Sequence, residues 1–269
     1  MLCDIWEDHR LKSSDEDFAW ELFHEDSKTG RYDTFPPQAV IFQQMQQMTE
    51  SFRYEGFPRI DLPTELDPAL NRPLGETLLN RKSARHMRRC ELTLSKLATL
   101  LHCAYGITRR DPGEEFPRPF RVVPSGGALY PLEIYFHSCD VVDLNPGLFH
   151  YNPVENCLRH LQQTDLSRSL SDALVPFQSE LAFNSAGFIF ITALFKRSTF
   201  KYGPRGYRFV LLEAGHVAQN INLVATAMNL GVLNVGGFFD RSVDKLLKLD
   251  GVAHATIYMI ALGADRDSA

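Results

Sequence analysis

The stretch FIFITALF, residues 188–195, places the strongest constraint on how this chain can fold. All eight residues are apolar or β-branched, which is typical of a β-strand buried on both faces. The run is well short of the roughly twenty apolar residues that a helix needs to cross a bilayer. We therefore expect a globular protein whose central sheet is covered on both sides.

Helical and strand patterns alternate along the rest of the chain. The spacing of apolar residues predicts one helix between Thr93, a suitable N-cap, and Gly106, a suitable stop. It predicts a longer helix over residues 208–230, ended by a glycine. The segments LEIYFHS (132–138) and ATIYMIALG (255–263) predict strands. Together these elements indicate an α+β fold with a central sheet.

Charge and cysteine content argue against several classes of function. The formal net charge of −5 gives no electrostatic basis for binding nucleic acid or an anionic membrane. The five cysteines are irregularly spaced and form no CxxC pair, so we expect neither a disulfide framework nor a metal site. Scattered thiols suit a reducing compartment, and the polar N-terminus lacks the apolar core of a signal peptide. We therefore expect a cytoplasmic protein.

The N-terminal quarter of the chain differs in composition from the rest. Residues 1 to about 60 are charged, aromatic and Gln-rich, and residues 61–75 contain three prolines, as linkers often do. This part has too few apolar residues for a core of its own. We expect residues 1–74 to form an accessory segment that recognises a partner or peptide or makes dimer contacts, and residues 75–269 to form one domain.

The motifs of several large enzyme classes are absent from the sequence. It contains no GxGxxG after a strand, no GxxxxGK[ST], no HExxH and no GxSxG. A Rossmann dehydrogenase, a P-loop NTPase, a zincin and an α/β-hydrolase are therefore all disfavoured. Four other stretches are hard to explain by packing alone: RKSAR (81–85), PSGGALYP (124–131), KYGPRGYR (201–208) and GGFFD (236–240).

Each of these stretches has a chemical interpretation and an ordinary one. RKSAR could hold a phosphate with its three cations and hydroxyl, or it could be a solvated loop. The glycines of PSGGALYP and GGFFD leave backbone N–H groups open to a planar ligand, although plain turns use glycine as well. Lys201 beside Tyr202 could provide a proton acceptor near neutral pH, or lie on the surface of a loop.

The order of the stretches resembles that of the FMN-binding nitroreductase superfamily. RxSxR is followed by PSGGALYPLE, by the helix LLEAGHVAQNINLVATAMNLG and by GGFFD. PSGGALYPLE and KYGPRGYRFVLLEAGHVAQN are similar, more narrowly, to the SagB-type branch, the azoline dehydrogenases that form thiazoles and oxazoles in peptide natural products. The resemblance covers about residues 75–263. Ala128 stands where typical nitroreductases have asparagine, which fits the SagB-type branch better.

The resemblance implies a homodimer with a nitroreductase-like α+β fold, a mostly antiparallel central sheet flanked by helices. Residues 75–269 would bind FMN: RxSxR on the phosphate, the PSGG loop against the isoalloxazine from the second subunit, and the GGFFD turn at flavin N5. The implied cofactor-binding residues are Arg81, Lys82, Ser83, Arg85, Pro124, Ser125, Gly126, Leu129, Gln178, Asn220, Gly236 and Gly237. Lys201 and Tyr202 are the implied catalytic residues, and Arg266 is a further candidate for the phosphate. Glu213 and His216 are expected to be hydrogen-bonded scaffold.

The implied reaction is oxidation of a thiazoline or oxazoline in a modified peptide to the aromatic azole. A base removes a proton while hydride passes to flavin N5. Tyr202 as phenolate, supported by Lys201, is the preferred base, and neutral Lys201 is the alternative. A YcaO-type cyclodehydratase would be a partner. Two further functions stay open: an NAD(P)H-dependent nitroreductase or quinone reductase, and a flavin-free scaffold subunit of a peptide-modifying complex.

Overall fold

The structure, a computed structural model, describes residues 18–110 and 119–265. Its helices in these residues are α1 (Phe18–Asp26), α2 (Gln38–Gln47), α3 (Leu74–Asn80), α4 (Leu94–Tyr105), α5 (Ser167–Ala173), α6 (Leu181–Asn184), α7 (Lys196–Tyr202), α8 (Arg205–Ala227) and α9 (Asp240–Leu247). The strands are β1 (Arg59–Asp61), β2 (Met87–Arg88), β3 (Leu92–Thr93), β4 (Ile107–Arg110), β5 (Pro119–Arg121), β6 (Leu132–Ser138), β7 (Val141–Val142), β8 (Gly147–Asn152), β9 (Cys157–Gln162), β10 (Gly187–Leu194), β11 (Gly231–Val235) and β12 (His254–Asp265).

One antiparallel sheet forms the centre of the molecule. Its strands follow the order β1-β9-β8-β6-β10-β12-β11, and β2 pairs with the end of β12. The strand predicted from FIFITALF is β10, which lies in the middle and pairs antiparallel with β6 and β12. The α+β fold with a mostly antiparallel central sheet is confirmed.

Alternate residues of β10 face two different helical layers. Ile189 and Ile191 belong to an apolar cluster that includes side chains of α4 and α8. Phe188 and Phe190 belong to a second cluster with side chains of α5, α6 and α9. Successive strand residues point to opposite faces, so a strand covered on both sides must be apolar throughout. This explains the uninterrupted apolar run in the sequence.

The two main helices begin and end at residues with a clear physical role. Thr93 caps α4 by accepting a hydrogen bond from the Lys96 amide, and Gly106 follows the last residue of the helix, as predicted. The long helix α8 lies three residues earlier than predicted at each end. Pro204, with its φ near the helical value, starts it early. Asn229 adopts a left-handed conformation and ends it before the expected glycine is reached.

Lys201 and Tyr202 lie at the end of a helix and not on a loop, which was the ordinary alternative for this pair. They are the last two residues of α7, which ends at Gly203 with a φ of 55°. The segment KRSTFKY has no apolar spacing of the helical kind, so its sequence gives no helix signal.

The N-terminal segment is tied to the rest of the fold. β1 pairs with β9 at the edge of the central sheet. Arg208 donates to the Ser27 hydroxyl and to the His24 carbonyl, which holds the end of α1 against α8. The division into an accessory segment 1–74 and a domain 75–269 stays a prediction.

Three expectations from the sequence concern membrane spans, metal sites and disulfides. None of the described helices is long and apolar enough to span a membrane. No group of three or more His, Cys, Asp or Glu side chains within the described residues could hold a metal ion. The four described cysteines have free thiols. Cys3 and Arg266 lie outside the described residues.

Candidate active site

Lys201 and Tyr202 lie against Gly127 of the PSGG loop in the same chain. A Cβ atom on Gly127 would be 2.6 Å from Tyr202 Oη and 2.8 Å from Lys201 Nζ. Gly127 also has a φ of 65°, a left-handed conformation that glycine adopts without strain. The structure therefore brings together two stretches that the sequence could connect only through a family resemblance.

The aromatic ring of Phe209 on α8 supports both the loop and the pair. A Cβ atom on Gly126 would be 3.2 Å from this ring. The same ring meets the Tyr202 ring edge-on, with centroids 4.9 Å apart. Lys201 Nζ is 5.2 Å from the centroid of the Tyr202 ring. Two neighbouring polar groups are thus held at a fixed place on the loop.

Substitution of Gly127 by alanine should displace this pair. The clashing atoms are the ends of two side chains, so we expect them to move while the fold is retained at a cost of about 1 kcal/mol. Because the ends of the Lys201 and Tyr202 side chains are displaced from the loop, the rate of a reaction in which they take part should fall by roughly tenfold or more. Steady-state kinetics and thermal unfolding would measure the two effects.

Gly56→Ala is the matched control for this substitution. A Cβ atom on Gly56 would have no neighbour within 4 Å and no positive φ to strain it. Full activity in the Gly127→Ala variant would show that the contact has no bearing on turnover.

A second group of predicted residues meets on another part of the subunit. The Ala84 amide donates to the Val232 carbonyl at 2.9 Å, which fixes the RKSAR stretch alongside β11. β11 leads directly to Gly236 and Gly237. Val175 donates through its amide to the Gly237 carbonyl, and this link brings the segment before Gln178 to the same glycine turn.

Gln178 has an unusual environment in this second group. Its Oε1 atom is buried and has no hydrogen-bond partner among the described residues. A Cβ atom on Gly237 would be 3.3 Å from that oxygen. Gln178 and Arg85 also line one cavity of about 410 Å³ with Leu233. A buried amide oxygen without a partner favours a site for a ligand with a hydrogen-bond donor.

The other predicted cofactor residues have the following places. Arg81 is half-buried, whereas Ser83 is exposed. Lys82 forms an ion pair with Asp265 at 2.8 Å, so its ammonium group lies at the end of β12.

Two of the predicted residues face the interior of their own subunit. The Leu129 side chain is buried in the core, away from the surface of the loop. The Asn220 amide donates to the Cys103 carbonyl at 3.0 Å, which places it on the side of α8 that packs against α4.

Within one subunit the two groups line separate cavities. Pro124 and Ser125 line a cavity of about 650 Å³, and Lys201 and Tyr202 line one of about 520 Å³. Neither of these cavities is lined by Arg85 or Gln178. Within this chain, Arg85 and Gln178 thus share no cavity with the PSGG loop or with the Lys-Tyr pair.

Sequence reasoning missed an ion pair that fixes α7. Arg197 lies in the first turn of α7, and its Nη1 atom is 2.7 Å from Glu133 Oε1. Glu133 also accepts from the Ser51 hydroxyl at 2.9 Å and hydrogen-bonds His150 Nε2 at 2.7 Å. The available signal was a glutamate inside the apolar strand LEIYFHS, because a carboxylate is buried only when it has partners.

Glu213 of α8 lies beneath the PSGG loop. Its carboxylate accepts from Tyr105 Oη at 2.7 Å and is hydrogen-bonded by the Ser125 side chain. Burial raises the pKa of Glu213 to about 7, against the two hydrogen bonds, which lower it. The residue therefore titrates near neutral pH.

The raised pKa predicts a pH-dependent stability. The unfolded chain releases the Glu213 proton near the ordinary value of 4.5, whereas the folded chain holds it until about 7. The stabilisation is therefore fully present below about pH 4.5 and is lost as the pH rises through 7, by about 3 kcal/mol in total. Glu213→Gln should remove this component, so that urea unfolding at about pH 5 and about pH 8 gives a smaller difference than in the wild type. An unchanged difference would contradict the assignment.

Comparisons with known proteins identify the family to which the chain belongs. The model of the nitroreductase family matches residues 78–264. A protein of Methanocaldococcus jannaschii named as a nitroreductase is 36% identical over 176 residues, or 65% of this chain and 84% of that protein. The microcin B17-processing protein McbC of Escherichia coli is 32% identical over 144 residues, or 52% of this chain and 51% of McbC. In sequence, the chain thus spans about half the length of McbC.

Solved structures show the same fold. A nitroreductase structure from Anabaena variabilis matches with a TM-score of 0.70 and 27% identity, over 90% of this chain and 45% of that one. A chain of the E. coli microcin synthetase McbBCD complex, with truncated pro-MccB17 bound, matches with a TM-score of 0.58 and 24% identity over 91% of each chain.

These matches confirm the resemblance to the microcin B17-processing protein McbC and the nitroreductase-like fold. The chain belongs to the nitroreductase family.

Proposed function

We propose that this chain is an FMN-dependent oxidoreductase that oxidises thiazoline or oxazoline rings of a modified peptide to thiazole or oxazole. Members of the family are generally FMN-dependent oxidoreductases, and McbC processes microcin B17. The observation that carries the proposal is the position of Lys201 Nζ and Tyr202 Oη on the PSGG loop. Oxidation of an azoline to an azole removes a ring proton together with a hydride, so the reaction needs a proton acceptor.

The residues near the glycine turn fit FMN. Gly236 has open space where a side chain would be, so a planar group can approach the backbone. The unpartnered Gln178 Oε1 could accept from a donor on the ring edge. Arg81, Ser83 and Arg85 would hold the phosphate through charge-assisted hydrogen bonds. When bound, FMN supplies the capacity to accept a hydride.

The chain's own groups would handle the proton. Tyr202 Oη is the proposed acceptor of the ring proton, and Lys201 Nζ supplies positive charge beside it. Phe209 packs edge-on against the Tyr202 ring and lies beside Gly126, which restricts the position of the phenol. If neutral Lys201 is the acceptor, Tyr202 orients it.

A homodimer would bring the two groups of residues together. One subunit would contribute Arg85, Gln178 and Gly237, and its partner the PSGG loop with the Lys-Tyr pair. Large apolar side chains are exposed in the single chain, and contact with a second chain would cover such side chains. They include Leu79, Phe177 and Leu212, which are 89%, 86% and 61% exposed.

The proposed substrate and partner follow from the microcin system. The E. coli structure holds a similar chain in the microcin synthetase McbBCD complex with truncated pro-MccB17 bound. We extend this to a modified peptide as the substrate of this chain and a YcaO-type cyclodehydratase as its partner.

The decisive experiment supplies the FMN-loaded protein with an azoline-containing peptide. Loss of two hydrogen atoms per ring, detected by mass spectrometry, would support the proposal.

The M. jannaschii relative named as a nitroreductase makes a reductase the second candidate. Rapid anaerobic bleaching of the flavin by NADPH, with no change in peptide mass, would favour that reductase and overturn the dehydrogenase. A protein with no affinity for FMN would favour a scaffold subunit.

A further inference from the structure

We propose that Glu213 is a positioning residue for Lys201 and Tyr202. It acts through Ser125 and the two glycines that follow Ser125 in the PSGG loop. This inference rests on the proposed function, since it assigns Lys201 and Tyr202 to proton transfer. Glu213 is itself only 3% exposed and does not contact the pair directly. Its effect would pass through the backbone of the loop.

The loop needs external support because several of its residues adopt strained conformations. Ala128 and Tyr130 have φ values of 52° and 45°, in the left-handed region that disfavours residues with a side chain. Such conformations persist only where surrounding contacts fix them. Ser125 provides one of these contacts, because its Oγ accepts from the Tyr130 amide at 2.9 Å and closes the loop on itself.

Glu213 connects that hydroxyl to the central sheet. The carboxylate is hydrogen-bonded by Ser125 on one side and accepts from Tyr105 Oη on the other. Tyr105 Oη in turn accepts from the Leu132 amide at 3.1 Å, at the start of β6. Arg121 lies over the Tyr105 ring with its guanidinium carbon 4.0 Å from the centroid, which restrains the ring. The loop is therefore anchored through one buried carboxylate to a rigid strand.

The same helix supports the loop at its next residues. Phe209 and Glu213 are four residues apart on α8, so their side chains lie on one face. Glu213 holds Ser125, Phe209 packs on Gly126, and Gly127 meets the Lys201 and Tyr202 side-chain ends. Each of the three successive loop residues 125–127 thus has its own side-chain contact from α7 or α8. A change at the first of them would move the surface against which the pair rests.

Substitution of Glu213 by glutamine or by leucine separates the effect of its hydrogen bonds from the effect of its charge. A glutamine at 213 can accept from Tyr105 and donate to Ser125 Oγ, so it preserves both links without a charge. A leucine has a similar size and preserves neither. We expect Glu213→Leu to lower kcat for azoline oxidation by roughly tenfold or more, with KM and FMN content close to wild type. Glu213→Gln should stay within about threefold of wild type.

A second measurement does not depend on the reaction. Hydrogen–deuterium exchange of the backbone amides of residues 125–130 should be faster in Glu213→Leu than in wild type and Glu213→Gln. If Glu213→Leu does not fold, Tyr105→Phe removes the same link at the strand end and should show the same faster exchange and lower kcat.

The outcomes distinguish this inference from the proposed function. Wild-type kcat and wild-type exchange in the leucine variant would overturn the positioning role, and so would an equal loss of kcat in the leucine and glutamine variants. If the wild type oxidises no azoline, the proposed function fails. In that case the exchange measurement still decides whether Glu213 fixes the loop.

Discussion

Tyr202→Phe and Lys201→Ala variants should oxidise azoline rings at about one hundredth of the wild-type rate or less, with FMN still bound. The phenylalanine lacks the Oη atom that lies against Gly127, and the alanine lacks the ammonium group beside it. Neither residue lies in the group around Gln178 and Arg85 that is proposed to hold the cofactor. Azole formation by mass spectrometry and FMN content by absorbance would measure the two effects separately.

Lys196→Ala provides the matched control for these variants. Lys196 is exposed at the opposite end of α7, so its loss changes the charge of the same helix without touching the loop. Activity of this variant should stay near that of the wild type. Wild-type turnover in both the Tyr202 and Lys201 variants would remove the pair from the mechanism, whatever the state of the flavin.

Arg197→Ala should lower the free energy of unfolding by roughly 3–5 kcal/mol. The substitution leaves Glu133, 1% exposed, as a buried carboxylate without its strongest partner. Burial alone raises the pKa of Glu133, but the Arg197 guanidinium and then His150 lower it to about 2. Chemical denaturation at neutral pH would measure the loss.

The pH dependence of the same pair follows from the lowered pKa. The unfolded carboxyl takes up its proton near the ordinary value of 4.5, whereas the folded one does so only near 2. The stabilisation from this group is therefore present above about pH 4.5 and is lost as the pH falls towards 2. Much of this acid sensitivity should be absent in Arg197→Ala.

Arg168→Ala is the control for the stability measurement. Arg168 forms a 3.8 Å ion pair with Asp172, and the two side chains are 85% and 70% exposed. An exposed pair of this kind contributes little, so the variant should stay within about 0.5 kcal/mol of the wild type. Equal losses in the two arginine variants would show that burial of the Glu133 pair is not what stabilises the fold.

Local signals in the sequence were sufficient for most of the central elements. The apolar run that became β10 and the capped helix α4 were predicted within one residue of their observed bounds. In both cases the residues that decide the structure lie inside the segment or directly beside it. The ends of α8 were shifted because Pro204 and Asn229 determine them, and the apolar spacing by itself does not.

The candidate site was only partly accessible to the same reasoning. The residues of the four stretches could be named in advance, because packing alone does not explain their glycines, serines, lysines and arginines and because their order resembles that of a known family. Glu213 was expected to be scaffold, and its hydrogen bond to Ser125 could not be foreseen, because the two are 88 positions apart in the chain. The same holds for Glu133 and Arg197, which are 64 residues apart in the chain.

The sequence by itself determined the fold class, the buried strands, the capped helix and the four polar stretches that resemble a flavoprotein. These depend on side-chain periodicity and on the conformational preferences of single residues, which act over a few positions. Only the tertiary structure placed Lys201 and Tyr202 on the PSGG loop. Only it revealed that the buried carboxylates of Glu133 and Glu213 hydrogen-bond the elements around this loop and α7. Contacts between distant residues depend on how the sheet and α8 pack, because hydrogen bonds and ion pairs have short range and no pattern along the chain records which partners will meet.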